Sequence, residues 1–528
     1  MPLANIEMES ERCTLDIEPV KPWYSRRLLL LAFLLCSCGF LYLETFVLPN
    51  IPWAPAGDQS IYLQHGTKML QGQLIYRDYD HFTLPGTDLV YLCLFRLFSV
   101  RVWIPQGMLV LLGLGISWLI IAISRKVLTG PVVFLPALLF LTLPFSGYLN
   151  ATHHWYSTIA ATAALAIVMD SRSVVRVAMA GALWGIATCF TQSVALGVLG
   201  LAAFLVWEHA QDESRALMFK KQAVLFASFF AVLLAFNVYF IWQAGLKDFL
   251  YYTVVFVAKY FPSDWFNTWR VYLHGWHGLL DNRANWPDIP TYLFIHALIP
   301  GIYVWFFLCD RHERRLHRDE SWNRIVLLNV TGIALFLSVA AAPAYNRLCT
   351  VSVPAIITLV WLATRLPRTG PKFVAALAAT ALALACLKPV VTQTRWRACL
   401  DLPAGRTAFL DVAQYEETKW VAEREHPSDY FFGDQLICFL LTLRNPARIP
   451  SLRPTDYTRP EEVQNLVQAL EEHKVNLISW YPALDTTHAH DNLAAVRLYL
   501  LNHYHVEKTF SNGYKIWARN ESASLEMH

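Results

Sequence analysis

Eleven stretches of this chain are long and almost free of charge: about residues 28–48, 103–123, 131–149, 154–169, 174–190, 192–207, 220–243, 290–309, 325–342, 347–364 and 372–391. A helix needs roughly 20 apolar residues to cross a hydrocarbon core about 30 Å thick, and the shortest of these runs sit at the low end of that requirement. In lipid every backbone N–H and C=O must find its partner within the protein, so runs of this kind cross as helices. The composition agrees, with 55% hydrophobic and 16% charged residues against about 25% charged in a soluble domain. The ten cysteines fall mostly inside apolar runs and show no Cys-x-x-Cys or Cys/His zinc spacing. They read as small membrane-core residues, although Cys399 and Cys438, both in the C-terminal stretch, leave a disulfide open.

The links between the runs set the topology. Residues 1–27 form a polar tail with Lys21, Arg26 and Arg27 just before the first run. That run is too long for the apolar core of a signal peptide, and its basic flank places the N-terminus in the cytoplasm. The segment RHERRLHRDE (311–320) is the most basic short link, and 124–130, 170–176, 208–222 and 364–372 also carry positive charge. All of them lie inside provided that 174–190 and 192–207 are separate passes and that Leu89–Val100 does not span. Leu89–Val100 is short, contains Arg96 and is followed by Arg101, which suits an interfacial helix on the outer surface. The resulting expectation is an α-helical polytopic membrane protein with about eleven transmembrane helices, residues 28–394, and an outer loop 49–102.

Past about Arg395 the apolar runs shorten and charge becomes regular. Strand-like 408–412, 430–434 and 475–480 alternate with helical 414–425, 435–443, 460–473 and 493–504, ahead of HVEKTF and YKIWAR. This predicts a C-terminal soluble α/β domain, 395–528, on the outer side. No repeat, P-loop or glycine fingerprint is present, which weighs against a nucleotide sugar as a directly bound substrate. No nucleic-acid partner is expected.

The most polar stretch is Gly57–Asp88, which carries Asp58, Asp78, Asp80, Asp88, His65, His81, Lys68 and Arg77. Acids beside a bilayer are costly unless they face water, a metal or a substrate. The same topology brings the turn 150–155 with His153 and His154, the aromatic link 244–289, and Ala341–Arg347 to the outer face. A carboxylate taking a proton from a hydroxyl or amine, with a cation or metal holding a departing phosphate, is the chemistry of glycosyl transfer. Each residue also has a plainer reading. Asp58 caps a helix beginning near Gln59. Asp78 and Asp80 pair with Arg77 or solvate the loop. His153 and His154 are adjacent, cannot face the same way on a helix, and at least one is structural. Arg347 is an interfacial anchor. Lys259, Tyr260 and Arg270 are weaker candidates for the lipid-phosphate part of a substrate.

Gly57-Asp58, Tyr62, Gly72, Tyr76-Arg77-Asp78 and Leu84-Pro85-Gly86 resemble the first outer loop of the GT-C class of membrane glycosyltransferases. The likeness is to the branch related to aminoarabinose transferases and protein O-mannosyltransferases. His153-His154-Trp155 stands in the place of that family's second outer loop, and Tyr345-Asn346-Arg347 followed by Pro354 looks like its Arg-containing start of a late span. Segment 433–448, GDQLICFLLTLRNPAR, is similar to outer α/β domains of bacterial relatives. The resemblance implies a lipid-linked sugar donor, a polyprenyl-phosphate sugar by family habit, and a lipid, glycan or protein acceptor. It further implies Asp58 as catalytic acid-base residue, most naturally the general base. Asp78, Asp80, His81, His153, His154 and Arg347 are the expected substrate-binding set. Aminoarabinose transferases place an acidic-basic pair before a Pro-Pro turn, whereas Phe82-Thr83-Leu84 precedes Pro85 here, so Asp78 or Asp80 has to supply any second carboxylate. A divalent metal is compatible with such a site and not required by the sequence.

The expectation is thus an inverting glycosyltransferase amid membrane lipids, in a bacterial inner membrane, with its outer domain outside. The rival from another class is a flippase or transporter of a lipid-linked saccharide, for which inverted repeats and mid-membrane polar residues would be the signature.

Overall fold

The computed structural model describes residues 23–55, 57–212, 214–274, 289–313, 320–488 and 491–520. Most of the predicted tail 1–27, the centre of the basic link 311–320 and the end of the aromatic link 244–289 lie outside them. Each of the eleven apolar runs coincides with helix. The first nine helices are α1 (Trp23–Thr45), α2 (Asp58–Leu70), α3 (Gly86–Phe98), α4 (Trp103–Ser124), α5 (Leu135–Phe140), α6 (His153–Asp170), α7 (Val174–Phe190), α8 (Leu196–Asp212) and α9 (Arg215–Ala244). Later come Ile289–Glu313, Glu320–Val339, Tyr345–Thr350, Val353–Arg365 and Gly370–Thr394.

Among the described residues, seven helices are long and apolar enough by length and composition to cross a membrane. The expected eleven therefore divide. The stretch Gly130–Phe145, α7 and Val353–Arg365 are apolar but shorter, and α6 opens with polar His-His-Trp-Tyr-Ser-Thr. The physical reason is placement. Val353 through Ala363 are all buried in the bundle, so this helix answers to protein packing and not to hydrocarbon thickness. By contrast α9 buries few of its residues. It nevertheless packs tightly on α7 through Gly181 and Gly185, where an added Cβ would lie 2.3 Å from the Leu225 carbonyl and 2.8 Å from that of Phe229. Small residues four apart are what lets two membrane helices approach this closely.

The predicted interfacial segment Leu89–Val100 is most of α3, a helix of 13 residues, too short to span. It buries Tyr91, Leu92 and Phe95 on one side and exposes Leu97 and Phe98 at its end.

Between α1 and α2 the short strands β1 (Phe46–Val47) and β2 (Ile51–Pro52) pair antiparallel, and after Thr394 the chain forms β3 (Ala398–Leu402) and β4 (Gly405–Phe409), a second antiparallel pair. It then builds a four-stranded sheet in the order β5 (Phe431–Phe432), β6 (Leu477–Trp480), β8 (Lys515–Arg519), β7 (Tyr504–Thr509). The β5–β6 pair is parallel and the others antiparallel. Helices Val412–Ala422, Gln435–Leu440, Pro460–Glu472 and Ala494–His503 accompany it. Strand-like 408–412 is shortened to end at Phe409, because Asp411 accepts from the Gln414 N–H and starts a helix. Cys399 and Cys438 are not bridged.

This C-terminal part is not a pendant. Tyr62 and Leu63 of α2, Tyr91 and Phe95 of α3, Phe409, Leu436, Phe439 and Leu440 form one apolar core, each large side chain contributing about 1.5–3 kcal/mol by burial. Backbone bonds stitch the same seam: Ala54 N–H to Ala408 O (2.8 Å), Val102 N–H to Ala404 O (3.0 Å) and Asp80 N–H to Arg448 O (3.0 Å). The Lys68 ammonium donates to Ala447 O at 2.8 Å. The polar loop is thereby clamped between the helix bundle and the chain that follows it.

Candidate functional site

A cavity of about 450 Å³ lies where the loops at one end of the bundle meet the C-terminal part. Its floor comes from the start of α2 and α6, its sides from residues 251–267 and 335–354, and its roof from residues 449–462. Six of the seven predicted site residues line it: Asp58, Asp80, His81, His153, His154 and Arg347. Asp78 does not. Its carboxylate is held by the Arg77 guanidinium (2.7 and 2.9 Å) and the Leu74 N–H (2.8 Å), the local pairing that the Arg-Asp-Tyr-Asp turn makes available.

Asp58 is the first residue of α2, and the residue at the cap is Gly57 with φ +58° and ψ −141°. Glycine reaches that conformation without the penalty a side chain incurs, and its bare Cα sits where a Cβ would be 3.1 Å from Asn150. The turn swings Asp58 off the helix end and into the cavity. Its carboxylate accepts no hydrogen bond among the described residues, so capping does not account for it. It reaches the cavity space yet is ringed by protein, and this loss of water raises its pKa above the ordinary carboxylate value, with Arg347 and Arg453 pulling the other way. The result is a more basic carboxylate than one in water.

Arg347 faces the cavity from the helix Tyr345–Thr350. Asn267 accepts from it at 2.8 Å and the Ala342 carbonyl at 3.0 Å, while its guanidinium lies 5.7 Å from the Phe261 ring centroid and 5.9 Å from that of Phe266. These contacts fix the plane of the fork, which matches phosphate oxygens. Phe256 and Tyr252, also on the cavity, sit in a π-helical turn, Tyr251–Phe256, a widened turn frequent at functional sites.

His153 and His154 both reach the cavity, with ring centroids 3.9 Å apart. Successive helical residues differ by about 100°, and the cavity wraps far enough around the first turn of α6 to receive both. His153 Nδ1 is 2.7 Å from the Tyr62 hydroxyl, Tyr62 is 3.4 Å from Thr83 Oγ1, and Thr83 is 3.0 Å from His81 Nε2. Beneath them His65 Nδ1 stands 3.4 Å from Asp88. Burial, with the nearby His65, lowers His81 to about 3, so it is neutral at pH 7. Burial also pushes Asp88 up to about 7, opposed by His81, and neither Asp88 oxygen has a hydrogen-bond partner.

A raised carboxyl pKa means that the folded state holds its proton more firmly than the unfolded chain. The associated stability is fully present below about pH 4 and is lost as pH rises through about 7. Asp88→Asn should therefore be more heat-resistant than the parent at pH 8, with the two converging near pH 4; equal unfolding midpoints at pH 8 would contradict a buried charged Asp88.

Asp80 is tied rather than open. It accepts from Arg448 Nε (2.9 Å) and the Tyr252 hydroxyl (2.5 Å), and Arg459 is 3.9 Å away. Arg459 is paired in turn with Glu462. Lys259 and Arg270 do not line the cavity; the Lys259 ammonium lies over Tyr260. Sequence reasoning misses Asp264, Asn267, Arg453 and Tyr457, which do line it. Among the described residues no group of three or more His, Cys, Asp or Glu side chains is arranged to hold a metal ion.

No protein-family model and no curated protein sequence matches the chain. Solved structures do match by fold. The apo oligosaccharyltransferase of Archaeoglobus fulgidus aligns with TM-score 0.54 and 12% identity over 95% of this chain and 75% of that one. The same organism's AglB, in complex with an inhibitory peptide and a dolichol-phosphate, aligns with TM-score 0.53 and 11% identity over the same shares. A further structure of the enzyme, in complex with Zn and sulfate, gives 0.54 and 12% over 93% and 73%. At these identities the shared property is the fold, and that fold is the GT-C architecture of the archaeal oligosaccharyltransferases.

Proposed function

We propose that this protein is an inverting glycosyltransferase that moves a sugar from a polyprenyl-phosphate donor to a lipid, glycan or protein acceptor at the outer face of the membrane. In this reading the bundle makes eleven passes with the N-terminus inside, and residues 395–528 stand outside. The observation that carries it is a carboxylate with no hydrogen-bond partner among the described residues, Asp58, on one cavity with two arginines, Arg347 and Arg453, on this fold. That the related fold is seen with a dolichol-phosphate supports a lipid-phosphate donor.

Asp58 takes the proton of the acceptor hydroxyl or amine as its oxygen or nitrogen bonds to the anomeric carbon. The bond from that carbon to the phosphate oxygen breaks, and the electron pair leaves with the lipid phosphate, whose negative charge Arg347 receives. One displacement from the side opposite the leaving group inverts the anomeric centre. His153, bonded to Tyr62, and His154 line the same space and are placed to orient the donor.

The test is purified protein with a panel of radiolabelled polyprenyl-phosphate sugars, with and without chelator, scored for donor consumption. One donor of the panel should be consumed. Arg347→Ala should lower the rate with that donor by about 10²–10³-fold, the effect of removing one donor group to a developing anion. Consumption of no donor at all, or an Arg347→Ala rate equal to the parent, would count against the assignment.

A further inference from the structure

A second groove, about 810 Å³, opens on the far side of the polar loop, between the end of α2, the helix α3 and the last turns of α9. Its walls include Leu92, Phe236 and Tyr239, and its charged lining is Arg77 and Arg96 without any carboxylate. Arg96, in the last turn of α3, has no partner among the described residues. Arg77 is engaged bidentately by its neighbour Asp78 at 2.9 and 2.7 Å; the pair is exposed, at 44% and 31% of the two side chains, so Arg77 keeps further N–H donors for an added anion while Arg96 carries the open charge.

The groove lies against α9, one of the most exposed apolar helices of the bundle. Val238 and Trp242 of α9, one turn apart, are 51% and 76% exposed. A soluble anion would find one open and one paired arginine here and then a wall of apolar side chains. An amphiphile finds a match for both of its ends: arginine forks complement phosphate oxygens, and the apolar wall takes the chains.

We propose that this groove between α2, α3 and α9 binds the phosphate headgroup of an anionic membrane lipid, at a site separate from the Asp58 cavity. The proposal rests on the chain being a membrane protein and not on the transfer reaction, so each stands or falls by itself.

The full chain, purified in a non-ionic detergent, is titrated with phosphatidylglycerol or with soluble glycerol 3-phosphate, following the unfolding midpoint and retained lipid by native mass spectrometry. Phosphatidylglycerol should raise the midpoint and remain bound, and glycerol 3-phosphate should do neither. Arg77→Ala with Arg96→Ala should raise the lipid concentration needed by about 25-fold, roughly fivefold per arginine. Ala235→Trp, which fills the groove from an exposed position of α9 and leaves both arginines, should remove the response as well. Both variants change exposed positions, and their lipid-free midpoints report that they fold. An unchanged lipid response in either variant, or an equal response to glycerol 3-phosphate, would overturn the proposal.

Discussion

Asp58→Asn is expected to lower sugar transfer by about 10²–10⁴-fold, the range for loss of a positioned proton acceptor, while leaving the unfolding midpoint near that of the parent. The substitution keeps shape and removes the negative charge together with the basicity, and with it the attraction to Arg347 and Arg453. Because Asp58 accepts no hydrogen bond among the described residues, no hydrogen bond is lost with it. Asp78→Asn is the matched control: the same chemical change, twenty residues along the same loop, at a side chain that does not line the cavity. Its rate should stay within about twofold, since surface changes away from a site have small effects. If the two variants lose activity equally, Asp58 is not the base. The raised pKa of Asp58 adds a pH signature: the parent rate should fall on acidification at a higher pH than a carboxylate in water would give, because the protonated acid cannot accept the acceptor's proton.

Asp80→Ala is expected to destabilise the fold by about 3 kcal/mol, the lower end of the cost of breaking a buried ion pair, since Arg448 is itself part-exposed. The buried carboxylate draws together Arg448 and Tyr252 and stands near Arg459. Its removal leaves Arg448 with the Tyr76 carbonyl and the Tyr252 hydroxyl as acceptors and no carboxylate. The measurement is the thermal midpoint in detergent, with Asp80→Asn as the milder partner that keeps the hydrogen-bonding shape. An unchanged midpoint in Asp80→Ala would show that the joint between the loop and the C-terminal part is held by the apolar core around Phe95 and Phe439 alone. Activity should fall along with stability, because Arg448 leads directly into the roof of the cavity.

The acid-rich loop was legible in the sequence because charge is scarce in this chain and each charged side chain next to lipid has to be justified. The helices were legible for the same reason in reverse, since apolar runs of this length have few other ways to satisfy their backbone. The failures have one cause, contacts between residues far apart in the chain. Arg448 and Asp80 each look like solvated loop charges until they meet. Arg453 and Tyr457 lie in a stretch whose local pattern is that of an ordinary turn, and only the fold places them over Asp58. Asp264 and Asn267 were hidden in a link whose tryptophans and tyrosines read as an aromatic belt. His153 and His154 were separated by a helical-face rule that holds in mid-helix and loosens where a first turn opens on a cavity. The seven-of-eleven division by length and apolarity has a similar origin: a helix enclosed by its neighbours, such as Val353–Arg365, is not held to the length that lipid demands.

The roof over Asp58 comes from residues 449–462, downstream of every apolar run. The cover is thus made last: while the helices are being synthesised and packed, the space that Asp58 lines has no roof. A chain ending just beyond Thr394 would hold every apolar helix and lack the segment that encloses this cavity, so the surroundings of Asp58 are completed only by chain well downstream of the last apolar run.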